Sequence, residues 1–203
     1  RDDEVVGGLC GLPIGQWFGG TSIPMLGIAA VAVAPEHRGS GIGSRLLRVT
    51  LQEGRERGFP LSCLYASTQP LYRRLGFEPA GVRLQYEMPL AAIDVRDTDL
   101  IMAPIARDDI PLLRQLYEER ARRTNGHLDR HAVLWDRLFW AEPHGYGYVV
   151  LADDVPQGYA LYMHQDSGRK LPDIVITDWV ANSQAAARRL WTFFSDHRAR
   201  AGW

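Results

Sequence analysis

The chain has 203 residues, 46% of them hydrophobic and 23% charged, the composition of an ordinary globular protein with room for one large domain or two small ones. A formal net charge of -1 supplies no basic surplus for a phosphate backbone, which sets nucleic acid aside as a partner. No apolar run approaches the roughly 20 residues that span a bilayer, and nothing at the start reads as a signal peptide, so no membrane partner and a cytoplasmic location are expected.

Cys10 and Cys63 both lie in apolar segments, the usual setting of buried free thiols. His127 and His131 form a helical pair but lack the Glu of H-E-x-x-H and a third ligand, so no metal site is expected. The opening "RDDEVVGG" has no initiator Met and enters a strand pattern within a few residues, as though cut from something longer.

In chain order, the first half reads as a strand over residues 5–12, a loop through "PIGQWFGGTSIP", a strand over 25–33, a glycine loop, and a helix from 42 to about 57 ended by Gly58 and Pro60. A strand over 61–66 follows, then a short helix over 70–75 with Pro at its first turn, and strands near 77–80 and 82–88. Alternating strands and helices predict an α/β (α+β) fold with at least one parallel crossover. Residues 90–98 read as a linker. Beyond it, "DDIPLLRQLYEERARR" sets Ile110, Leu113, Leu116 and Tyr117 on one helix face, and a second helix spans 131–140. A hairpin over 146–152 and 158–164, a strand in "DIVITDWV" and a helix in "SQAAARRLWTFFSDHRA" complete the chain.

The two halves share one order: strand, polar or glycine-rich loop, strand, helix. The chain therefore reads as two copies of a unit, residues 1–92 and 99–203, truncated at opposite ends.

The stretch "VAVAPEHRGSGIGSRLL" runs a strand into a glycine-dense turn and a helix, the general solution for holding a phosphate on unpaired backbone N–H groups at a helix start. A P-loop requires a Lys that is absent. A dinucleotide fingerprint fails at its third glycine, where Ser44 stands. What remains is R-x-x-G-x-G: Arg38, Gly41 and Gly43.

That motif after a strand resembles the acetyl-CoA pyrophosphate loop of the GNAT N-acetyltransferases. With "LYASTQPLYRRLGF" downstream, residues 30–77 look like the Eis (enhanced intracellular survival) branch, whose members fuse two GNAT domains and a sterol-carrier-like domain. The resemblance implies tandem GNAT-like domains, each a mostly antiparallel mixed sheet with flanking helices, and acetyl-CoA as co-substrate. The backbone of Val31, Ala32 and Val33 would pair with the pantetheine arm. Arg38, Gly39, Ser40, Gly41, Ile42, Gly43 and Ser44 would cradle the diphosphate, with Ser67 and Thr68 beside the cofactor. An oligomer of like chains is suggested by the resemblance alone.

Acetyl transfer to an amine needs a proton for the departing thiolate, and a phenol can give one. Tyr72, five residues after Ser67, matches the family's general acid. Tyr65 is a second candidate that strand alternation can turn into the core. The family's base is a C-terminal carboxylate, a role not carried over to Trp203. The second copy reads "DWVANSQAAARRLW" at the equivalent turn, has no glycine between Gly168 and Gly202, and is expected to be a supporting, degenerate domain. The expected function is acetyl transfer to a primary amine of a small molecule or peptide, aminoglycoside-like or lysine. The competing expectation is a non-catalytic CoA-binding or ligand-sensing module.

Overall fold

The computed structural model describes residues 4–140 and 145–203, with the backbone alone at 139 and 140. The opening Arg1, Asp2 and Asp3 lie outside the described residues. In chain order the elements are β1 (Gly7–Phe18), β2 (Thr21–Val33), α1 (Ile42–Glu56), β3 (Leu61–Leu64), α2 (Gln69–Arg73), β4 (Ile101–Pro104), α3 (Ile110–Arg122), β5 (Leu128–Asp129), α4 (Ala132–Trp140), β6 (Tyr146–Ala152), β7 (Val155–Gln165), β8 (Asp173–Ala181) and α5 (Gln184–Asp196). They fall into two compact units. The first joins Arg1–Arg83 to Asn125–His131, and the second joins Leu84–Thr124 to Ala132–Trp203.

The first unit is built on the sheet β3-β2-β1-β5. The loop expected through "PIGQWFGGTSIP" is instead the body of a long antiparallel hairpin, with Ile14 opposite Met25 and Trp17 opposite Ser22. Its turn is Gly19-Gly20, both at positive φ, the conformation a two-residue turn requires. Pro13, Gly15 and Pro24 sit inside the strands. Gly15 has a spatial reason: a Cβ there would run into Ser22 and Asp129. Those two side chains bond directly, Ser22 Oγ donating to Asp129 Oδ2 at 2.7 Å, where β5 pairs with Gly15 and Gln16. The turn is held by the same late segment, since Gly19 N donates to Asn125 Oδ1 at 2.8 Å and Gly126 N to the Trp17 carbonyl at 2.8 Å.

Helix α1 follows its apolar spacing onto one face of this sheet. Leu47, with no exposed surface, packs with Leu26, Ile28 and Tyr72. At Gly54 the helix comes so close that a Cβ would stand 2.8 Å from Leu26 Cδ2. Gly58, at φ 84°, ends it as expected. Strand β3 then runs parallel to β2, the crossover the alternation predicted. The strands expected at 77–80 and 82–88 are not formed among the described residues. Val82, Leu84 and Tyr86 alternate as a strand should, yet Val82 is 85% exposed. Strand pattern alone does not make a strand; a neighbouring strand must complete the ladder.

The second unit is built on β4-β6-β7-β8, antiparallel throughout. The β6–β7 turn is Asp153-Asp154, both at positive φ, so β7 already begins at Val155. Strand β4 was not anticipated. The expected linker at 90–98 is also corrected: Leu90 and Ile93 are buried with Val150, Ala160, Tyr162, Ala186, Leu190 and Phe194. The segment is strapped along α5, where Arg96 Nη1 donates to Ser195 Oγ at 2.6 Å and Asp97 N to Thr192 Oγ1 at 2.9 Å. Cys10 is exposed and not buried, because β1 turns it away from the α1 face; Cys63 is partly buried, and burial pushes its thiol pKa up.

Candidate functional site

The open groups of the first unit gather where β2 ends and α1 begins. After Val33 the chain makes a short 3-10 turn, Pro35–His37, then passes Gly39 and Gly41 at φ 81° and 85°. Two bonds set this path: Arg38 Nε donates to the Val33 carbonyl at 3.3 Å and Ser40 Oγ to the His37 carbonyl at 2.6 Å. Gly41 is the N-cap of α1 and offers no side chain to it, and the first turn holds no acidic residue. The first helical bond runs from Arg45 N to the Gly41 carbonyl at 3.0 Å. The N–H groups of Ile42, Gly43 and Ser44 therefore precede the ladder and have no acceptor among the described residues. With the positive end of the helix dipole behind them, they are donors of the kind that suit an anion. The loop is open on the Cβ side of its glycines: apart from chain neighbours, a Cβ built on Gly39 or Gly41 would meet nothing within 4 Å.

Beside the loop, β2 and β3 part. They pair from Met25↔Leu61 to Ile28↔Leu64, while β2 continues to Val33. Ala30, at φ 51°, marks the irregularity, and the register with β1 shifts across it. Ala34 N bonds the Val6 carbonyl at 2.8 Å, so strand alternation turns the backbone of Val33 and Val31 to the open edge and that of Ala32 toward β1. An extended, amide-bearing ligand can complete such an edge.

The remaining sequence-derived residues follow β3. Ser67 and Thr68 are exposed, and Thr68 is the extended N-cap of α2, its hydroxyl making no cap bond. Tyr65 does not point into the core; it is 83% exposed. Tyr72 is the reverse, 5% exposed, its ring edge-on to Phe77 at 6.1 Å and packed in the α1 core. Its hydroxyl has no hydrogen bond to a described residue. Trp17 is buried, and Phe18 is exposed. Among the described residues the ligand atoms of Glu4, Glu36 and His37 lie within 4.8 Å of one another, a mostly exposed group of a kind common without an ion.

The second unit closes the equivalent position. Ser183 caps α5, its Oγ accepting from Ala186 N at 3.1 Å, and the preceding Asn182 donates its side-chain amide to the Leu116 carbonyl and to Glu119.

Residues 1–80 match a sequence profile described as an acetyltransferase (GNAT) domain, and residues 126–203 match a second profile of the same description. The chain carries two GNAT acetyltransferase domains. It is 29% identical over 199 residues to an uncharacterized N-acetyltransferase of Streptomyces griseus, covering 86% of this chain and 47% of that protein. It is 28% identical over 165 residues to the N-acetyltransferase Eis of Mycobacterium tuberculosis, covering 73% of this chain and 40% of Eis. Among solved structures it resembles a GCN5-related N-acetyltransferase from Anabaena variabilis, with a TM-score of 0.91, 38% identity, and coverage of 100% of this chain and 52% of that one. The chain spans about half the length of the relatives it matches. In the first GNAT unit, sequence reasoning missed the Ala30 irregularity and the Arg38–Val33 bond. The first is a conformation of an ordinary residue, for which the small-residue run "IAAVAVA" is the only available signal.

Proposed function

We propose that the first GNAT unit holds acetyl-CoA and that the protein to which this chain belongs transfers the acetyl group to a primary amine, of an aminoglycoside-like molecule or a lysine. The reading is carried by the uncapped start of α1, three N–H groups after an open glycine loop, set beside the parted edge of β2. Acetyl-CoA, when bound, supplies an activated thioester. Ile42, Gly43 and Ser44 hold the diphosphate on their N–H groups, and the edge of Val31 and Val33 orients the pantetheine amides. Ser67 and Thr68, exposed on the segment between β3 and α2, would border the cofactor. As the amine attacks, a C–N bond forms, the C–S bond breaks, and the Tyr72 hydroxyl gives its proton to the departing sulfur; the reference pKa values of about 10 for the phenol and about 8.5 for a thiol leave a small gap. The amine's own proton passes to a base outside the residues named here.

Tyr72→Phe tests this. Loss of a positioned acid lowers turnover by roughly 10²–10⁴-fold while the ring stays packed and CoA affinity holds. Unchanged turnover removes the acid role. Burial of the Tyr72 ring favours a second reading, a CoA-binding module in which Tyr72 serves packing alone; binding without amine acetylation by the full-length protein would select it.

A further inference from the structure

A groove of about 410 Å³ on the first unit is lined by Arg48, Leu51, Gln52, Arg55, Arg74 and Leu75. Leu51 and Leu75 form its floor, packed against the α1 core. Half of its lining is cationic, on a chain whose net charge is -1. Several other arginines are paired, among them Arg73 with Glu78 at 3.1 Å, Arg123 with Glu119 at 3.0 Å and Arg188 with Asp97 at 3.2 Å. Arg48, Arg55 and Arg74 have no ion pair among the described residues, and three unpaired guanidinium groups on one groove present a field for an anion.

The groove continues the proposed diphosphate site. Ser44, Arg48, Gln52 and Arg55 recur at helical spacing along one side of α1, so Arg48 stands one turn, about 6 Å, beyond the last open N–H. Arg74, just past α2, faces the same groove. Arg55 is about 10 Å further along the helix than Arg48. The acetyl-CoA reading, on which this rests, brings a second anion. The ribose that carries the diphosphate on its 5′ oxygen carries a phosphomonoester on its 3′ oxygen, so the two are one sugar ring apart. We propose that Arg48 and Arg74 bind this 3′-phosphate and make the site selective for CoA over dephospho-CoA. A guanidinium fork suits the three terminal oxygens of a phosphomonoester, and two forks from different segments fix the ribose. Arg55 lies beyond direct reach and adds only to the field.

The test is isothermal titration of the 203-residue chain with CoA and with dephospho-CoA. The wild-type chain binds CoA about tenfold tighter or more, and the preference shrinks with added salt. Arg48→Ala and Arg74→Ala each remove most of the preference by weakening CoA, leaving dephospho-CoA as in the wild type. Arg73→Ala, which removes the arginine already paired with Glu78, keeps the full preference. Equal affinities in the wild-type chain overturn this inference alone, as does a preference that survives Arg48→Ala/Arg74→Ala. Binding of neither ligand overturns the acetyl-CoA reading and this inference with it.

Discussion

Replacing Gly41 by Ala separates the two things the glycine does. Its φ of 85° and ψ of 0° are left-handed, which costs a residue with a Cβ roughly 1–2 kcal/mol. Ala also restricts the unfolded chain, returning about 0.4–1 kcal/mol. Chain neighbours apart, no atom of a described residue lies within 4 Å of the added carbon, so no clash enters, and the net loss of stability is about 1 kcal/mol. On the proposed reading the same carbon would crowd a diphosphate held on the N–H groups of Ile42, Gly43 and Ser44. Losing one hydrogen bond to a charged group costs about 1.5–3 kcal/mol, which is roughly 10- to 150-fold in Kd. Thermal unfolding without ligand measures the first effect and calorimetric titration with CoA the second. Ser183→Ala is the matched control: it removes the α5 cap for about 1 kcal/mol and leaves CoA affinity alone. Wild-type CoA affinity in Gly41→Ala, or equal loss in the two variants, would refute the placement of the diphosphate.

Two further outcomes concern the second unit. A Cβ at Gly158 would meet the Val180 carbonyl oxygen at 2.5 Å and Ala181 Cα at 3.2 Å, backbone that cannot step aside, so Gly158→Ala should cost about 1–3 kcal/mol; a change under about 0.5 kcal/mol in chemical unfolding would count against the close β7–β8 approach. His164 has its pKa lowered, first by burial and then by His197, with Tyr146 and Tyr162 as its other ring neighbours. The unfolded chain then binds more protons, so stability is held above the ordinary imidazole pKa and falls as pH drops through it toward the lowered value. The melting temperature should decline over that acidic window and decline less in His164→Gln; the same slope in both would exclude His164 as its source.

Local chemistry was readable and long-range partnership was not. Helix α1, its glycine start and its Gly58 stop are written in residues close together in the chain, and the structure places them within a residue or so of expectation. The β1–β2 hairpin was cut short because Pro13, Gly15 and Pro24 look like breakers, whereas Gly15 is needed for the approach of Ser22 and Asp129. β5 is two residues long and exists only because β1 is opposite. Residues 82–88 err the other way, a strand pattern without a ladder. Leu90 and Ile93 lie in a short stretch with no period of its own, and their burial depends on α5, about a hundred residues later. At the site, the glycine spacing announced the open N–H groups. The parting of β2 and β3 was implied only by the family resemblance and not by the residue pattern, since it is a property of where pairing stops.

The different starts of α1 and α5 also set how each half answers its surroundings. α5 is finished by its own Ser183, while α1 leaves its last requirement to whatever anion is dissolved around it. A ligand at a hundred times its dissociation constant adds about 2.7 kcal/mol to the state that binds it. On the proposed reading that increment enters at the first unit, so amide exchange along α1 and the β2 edge should slow with added CoA while the α5 turn keeps its own pace. If the proposed acetyl-CoA site is real, resistance of one half of the chain to proteolysis becomes a gauge of how much acyl donor is present.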